Sequence, residues 1–140
     1  MAVRIDPSHV EFAQLPERGD CFSAVCPARD VFGHITGRWG GLVLAALLGG
    51  TLRFSELRGR IGGISEKMLA QTLREFERDG LLIRRQFPEV PPRVEYELTA
   101  AGLEVAQRLD HLISWIEDHV RELVAAQRSH AATTGRTSRS

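Results

Sequence analysis

The spacing of apolar residues changes twice along this chain, from helical to alternating and back to helical. Trp39, Leu42, Val43, Ala46 and Leu47 recur at intervals of three and four, which places them on one helical face. This predicts a buried-face helix over about 38–48, stopped by Gly49-Gly50. Ahead of it, Pro27 suits the first turn of a helix, where its missing N–H has no partner to lose. That helix is expected to reach about His34 and to break at Gly37. Residues 51–54 read as a short strand. Ser55 is then expected to cap a short helix buried by Leu57 and Ile61, with Glu56 favouring its positive end. Gly62-Gly63 supplies a turn, since glycine takes left-handed backbone at least cost. Ser65 caps the next helix, predicted over 66–79 and ended by Gly80.

The helix after the double glycine has two distinct sides. At 100° per residue, Leu69, Leu73 and Phe76 share one face, bordered by Met68 and Thr72. Lys67, Gln71, Arg74 and Arg78 fall opposite. The pattern then alternates. Residues 81–87 and 93–98 read as strands, with Val94, Tyr96 and Leu98 on one side and Arg93, Glu95 and Glu97 on the other. Pro88-Glu89-Val90-Pro91-Pro92 forms the tip between them, where prolines remove no ladder bond. Helical spacing returns after Thr99, and one helix is expected to about Gln127, about 40 Å long. Its stripe is Leu109, Leu112, Ile113, Ile116, Val120, Leu123 and Val124.

Helix, glycine turn, helix and paired strands, in that order, are the plan of a winged helix-turn-helix. The expected fold class is α+β, mainly α, with a two-stranded wing and long N- and C-terminal dimerisation helices. The expected organisation is a flexible arm over 1–20, a winged-helix DNA-binding and dimerisation domain over 21–128, and a polar, disordered tail over 129–140.

Composition changes this picture in one respect. The chain has 140 residues with 18 Lys and Arg against 18 Asp and Glu, so its formal net charge is zero. A nucleic-acid binder usually carries a basic excess. Placement offsets the objection. Arg84, Arg85 and Arg93 cluster at the hairpin against Glu89, whereas the last helix is rich in acid. Such asymmetry orients a neutral molecule on a polyanion. No signal peptide is evident, and the apolar run 40–50 is far short of the roughly 20 residues a membrane helix needs. A cytoplasmic protein is expected, without membrane contact. Two cysteines, Cys21 and Cys26, suit neither a disulfide scaffold nor a self-contained zinc site.

The candidate chemistry is recognition. The helix beginning at Ser65 is the one that would enter a major groove. Gln71 can pair with adenine, and Lys67 can reach guanine or phosphate. Arg74 and Arg78, further along, suit phosphate. Ser65 and the free N–H groups beside it suit a phosphate oxygen. Arg84, Arg85 and Arg93 would grip flanking phosphates or the minor groove from the wing, and Arg53 and Ser55 would touch the backbone from the start of the preceding helix. The stripe Leu109, Leu112, Ile113, Ile116, Val120 and Leu123, with Trp115, is too long for so small a domain to cover, and a second copy would bury it. Cys26, at a helix start, is placed where a thiolate gains from the helix end, which makes it a candidate sensor thiol. Cys21 is a candidate resolving thiol. The histidines show no metal spacing, and no catalytic constellation or cofactor motif is present.

These segments resemble the HxlR family of bacterial winged-helix regulators, relatives of the MarR type. The resemblance rests on Cys26-Pro27, Gly37-Arg38-Trp39, RFSEL at 53–57, GISEKMLAQTLREFERDGL at 63–81 and PEVPPRVEYELTAAG at 88–102. It covers residues 26–110. It implies a homodimer on a roughly palindromic double-stranded DNA operator, with an oxidant or small-molecule inducer and a reactive cysteine at Cys26. Two other functions fit the same residues: a small-molecule-responsive regulator without thiol chemistry, and a winged-helix protein-interaction module.

Overall fold

The computed structural model describes residues 11–137. The arm expected over 1–20 falls partly outside these residues. Its described part, 11–20, is exposed and contains one short 3-10 turn, Phe12–Gln14. Six α-helices and three strands follow: α1 (Ala28–Thr36), α2 (Gly40–Ala46), β1 (Leu52–Arg53), α3 (Phe54–Arg60), α4 (Glu66–Arg78), β2 (Leu82–Phe87), β3 (Arg93–Leu98), α5 (Ala100–Asp118) and α6 (Val120–Thr137). A 3-10 turn, Leu47–Gly49, extends α2.

One core holds these elements together. Leu44 of α2, Leu57 of α3, and Leu69, Leu73 and Phe76 of α4 are almost completely buried and belong to one cluster with Leu82, Tyr96 and Ala106. The cluster follows the predicted faces with one shift. Leu42 is 41% exposed, and Val43 and Leu44 are both fully buried. The short α2 lies deep enough that adjacent positions both reach the core, so its buried arc is displaced from the expected one. Gly102 allows α5 to close on the sheet, since a Cβ there would overlap the Leu81 carbonyl. Thr99 fixes the start of α5. Its Oγ1 accepts from Gly102 N at 3.0 Å and donates to Gly80 O at 2.7 Å.

The wing is a hairpin of β2 and β3, and β1 adds to β3 to give a three-stranded antiparallel sheet in the order β1-β3-β2. Its register pairs Leu82 with Leu98, Arg84 with Tyr96 and Gln86 with Val94. The expected single terminal helix is two. It breaks at His119, whose ring nitrogen Nδ1 lies 2.7 Å from Trp115 O and whose ring stacks on Trp115 at 4.3 Å. The second piece continues to Thr137, beyond the end expected near Gln127 and into the stretch expected to be disordered. Among the described residues, no single helix is long and apolar enough to cross a membrane.

Candidate nucleic-acid interface

The helix-turn-helix is built from α3 and α4. The cap of α3 lies two residues upstream of the expected Ser55. Arg53 is the N-cap, and its backbone N–H donates to Glu56 Oε1 at 3.0 Å. The acidic residue at the third helical position thus supplies the half of a capping box that satisfies the N-cap's own N–H, while arginine offers no acceptor to the first-turn N–H groups. Ser55 is therefore inside the helix and exposed, beside Arg58 and Glu66. Gly63 makes the turn with φ +84°, while Ile61 and Ile64 anchor it in the core. Ser65 then caps α4 as expected, its Oγ accepting from Met68 N at 3.1 Å.

Helix α4 buries Leu69, Thr72, Leu73 and Phe76. Lys67, Gln71, Arg74 and Arg78 are all exposed on the opposite side. Gln71 Nε2 donates to Glu75 Oε1 at 3.3 Å, an exposed contact one turn away. Arg58 bridges to Glu66 at 2.8 Å, tying α3 to the start of α4. Exposed pairs of this kind contribute about 0–1 kcal/mol. The angle between the helices is thus held by the buried side chains rather than by the bridge.

The wing arginines are not equivalent. Arg85 lies 3.3 Å from Glu97. Arg93 lies 3.4 Å from Glu89 and 3.3 Å from Glu95, with its guanidinium 4.2 Å from the centre of the Phe87 ring. The Arg93 Nε–Glu95 contact lacks hydrogen-bond alignment, so it is an ion pair only. Arg84 has no carboxylate partner among the described residues and donates to Gln86 Oε1 at 3.5 Å. Arg53 is exposed beside the start of α3.

The two cysteines lie in the loop that leads into α1. Pro27 is the N-cap of α1, so Cys26 sits one residue before the cap. Its sulfur accepts from Asp20 N at 3.3 Å and is half-buried. Cys21 is exposed, and its thiol donates to Ala28 O at 3.8 Å. Arg29 pins this loop by donating to Cys21 O at 3.2 Å and Phe22 O at 3.3 Å. Both sulfurs are free thiols.

One contact joins residues far apart in sequence. His34 near the end of α1 lies 2.7 Å from Asp79, the C-cap of α4, and Asp79 is 10% exposed. The two residues are 45 apart in sequence, and no local pattern connects them.

Along the C-terminal helices, Leu112, Trp115, Ile116, Val120 and Leu123 are 37–55% exposed. Ile113 is half-buried. Leu109 instead packs against the core of the chain itself. Among the described residues no group of His, Cys, Asp and Glu could hold a metal ion.

An exposed polar helix behind a glycine turn, flanked by a cationic wing, defines a winged helix-turn-helix, the architecture of DNA-binding transcriptional regulators. The model of the HxlR-like helix-turn-helix family matches residues 34–123, and this chain belongs to that family. The HTH-type transcriptional regulator YtfH of Escherichia coli is 48% identical over 125 residues, covering 89% of this chain and 99% of the relative. The structure of transcriptional regulator YtfH from Salmonella typhimurium is 48% identical, covers 79% of this chain and 99% of that one, and superposes with a TM-score of 0.76. The redox regulator HypR in its oxidised form is 34% identical over 66% of this chain and 96% of its own, with a TM-score of 0.61. The relatives are transcriptional regulators, not enzymes.

Proposed function

We propose that this regulator acts as a homodimer on a roughly palindromic duplex, and that Cys26 makes its DNA affinity responsive to oxidants or electrophiles. The observation that carries the first part is the outward face of α4. Lys67, Gln71, Arg74 and Arg78 are exposed while the opposite side fills the core. Gln71 and Lys67 would read base edges. Arg74, Arg78, Ser65, Arg53 and Ser55 would hold phosphates. Arg84 is the wing cation ready to do so, whereas Arg85 and Arg93 must first release carboxylates. The exposed apolar row from Leu112 to Leu123 supports the dimer, because a second copy would cover it and set two recognition helices about one DNA turn apart.

The thiol part rests on the loop geometry and on the likeness to the redox regulator HypR. A peroxide would transfer one oxygen to the Cys26 thiolate, leaving a sulfenic acid and, with a proton, water. Condensation with the Cys21 thiol would release a second water and form a disulfide. Cys21 and Arg29 bracket the loop, so its rearrangement would disturb the start of α1. In a shift assay on a duplex selected by the protein, diamide or a quinone should release wild type but not Cys26→Ser. An unchanged response in that variant would remove thiol sensing.

A second reading has its own observation. A cavity of about 250 Å³ lies between α2, the end of α3 and α5, with Leu42, Ala46 and Ile113 as apolar walls and Arg60, Asp110 and Glu117 as charged ones. A small-molecule inducer binding there would move α5 against the helix-turn-helix without thiol chemistry. Release of DNA by such a ligand from Cys26→Ser would support it.

A further inference from the structure

The sheet register divides the wing cations between two faces. Arg84 is the cross-strand partner of Tyr96, and such partners project from the same side of a sheet. Leu82 and Leu98 share that side, and Leu82 is buried, so this is the side turned toward the helices. Arg85 and Arg93 project from the other side, where Glu97, Glu95 and Glu89 hold them.

Between the inner side and the flank of α4 lies a cavity of about 420 Å³, lined by Ala70, Leu73, Arg74, Glu77, Arg84 and Tyr96. Two guanidiniums and one carboxylate leave its lining net positive. Neither Arg74 nor Glu77 has an ion-pair partner among the described residues, so the carboxylate has not taken up the cations. Tyr96 is only 8% exposed, and its hydroxyl has no hydrogen-bond partner among the described residues. That oxygen is not sealed from solvent, because among the described residues the one buried side-chain polar atom without a partner is Arg93 Nε, so the phenol O–H is free to donate outward. Guanidiniums only donate, and a phenol O–H donates as well. The lining therefore brings donor side chains from a helix and two strands to one cavity, where an acceptor with several lone pairs would suit them.

We infer that this cavity is a phosphate site completed by Tyr96, and that its occupant is the backbone phosphate running between the groove entered by α4 and the groove beside the wing. This rests on the reading that α4 enters DNA. A free phosphate offers the same oxygen chemistry, and the test separates the two sources. Tyr96→Phe removes the hydroxyl and keeps the buried ring, so the fold is retained. Arg84→Gln removes one charge. The probe is a duplex selected from a random pool with the wild-type chain, then a series carrying one neutral methylphosphonate at each position in turn.

Tyr96→Phe should weaken the selected and random duplexes alike by about tenfold, with an unchanged salt dependence. Arg84→Gln should weaken both and lower the slope of log affinity against log salt by about 0.9. One methylphosphonate position per half-site should weaken wild type and have no further effect on the double variant. Wild-type affinity in folded Tyr96→Phe, or the absence of any such position, overturns the assignment. If the wild-type chain selects no duplex, the DNA reading falls with it. If it selects one and both variants bind unchanged, the cavity assignment alone falls. Broadening of the phosphorus resonance of inorganic phosphate by DNA-free wild type but not Tyr96→Phe, without the methylphosphonate signature, would make the occupant a free anion and overturn the backbone source.

Discussion

Gln71 already has a partner, and that partner decides what reading a base would gain. Its amide donates to Glu75 across one helical turn, in an exposed pair contributing about 0.2–0.5 kcal/mol. A bidentate pair with adenine discriminates by about 1–3 kcal/mol, so the exchange favours the groove. Gln71→Ala should therefore lose about 1–3 kcal/mol on the selected duplex and relax preference at one base position, measured by competition binding. Equal losses on random duplexes would remove its base-reading role. A backbone contact is tested at Gly102. Its absent Cβ makes room for the Leu81 carbonyl, and neither group is a flexible side-chain end. Gly102→Ala should lower unfolding stability by about 1–3 kcal/mol in urea, more than any helix-propensity gain from alanine returns. The candidate residues of α4 were legible because one period assigns every side chain on a lone helix. The wing arginines were not. Alternation separates Arg84 from Arg85, but only pairing shows that Tyr96 faces the first and that carboxylates hold the second. His34 and Asp79 meet only through the packing of α1 on α4.

At the scale of elements, the order of helices and strands followed from sequence because glycine turns, serine caps and changes of period are local. Ends were less legible. The cap of α3 is Arg53 rather than Ser55, with Glu56 at the third helical position accepting from the Arg53 N–H. The break at His119 involves neither proline nor glycine. It coincides with an imidazole that bonds Trp115 O and stacks on the Trp115 ring, two preferences that a hydrophobic stripe does not display. The break divides the exposed apolar row, leaving Leu112, Trp115 and Ile116 on α5 and Val120 and Leu123 on α6. A covering partner would therefore contact residues of both helices. Ile116→Glu combined with Val120→Glu places two charges on it where desolvation would be unpaired, a cost of several kcal/mol at a buried interface. Sedimentation should find monomers with a native circular dichroism spectrum and at least tenfold weaker binding to a two-half-site duplex. A dimer persisting with both charges would place the interface elsewhere.

For the molecule as a whole, zero net charge conceals a sorting of cations. Lys67, Arg74, Arg78 and Arg84 have no carboxylate partner among the described residues, whereas Arg85 and Arg93 are engaged by wing carboxylates. A change at the Cys26 loop would have to reach the helix-turn-helix through neighbouring elements to affect DNA binding. The loop leads into α1, and α1 ends beside α4 through the His34–Asp79 contact at the C-cap of the recognition helix. Asp79 is nearly buried, so removing its partner leaves a polar group unsatisfied at about 1–3 kcal/mol. That contact joins the end of α1 to the C-cap of α4 across 45 residues of sequence. If it carries the response, His34→Ala should bind DNA whether or not Cys26 has been oxidised, with the diamide-induced loss of affinity cut severalfold. A double-mutant cycle with Cys26→Ser, measured on DNA affinity in the presence of diamide, should give a coupling of at least about 0.5 kcal/mol. Additive effects within about 0.3 kcal/mol would mean that the His34–Asp79 contact does not carry the proposed thiol response.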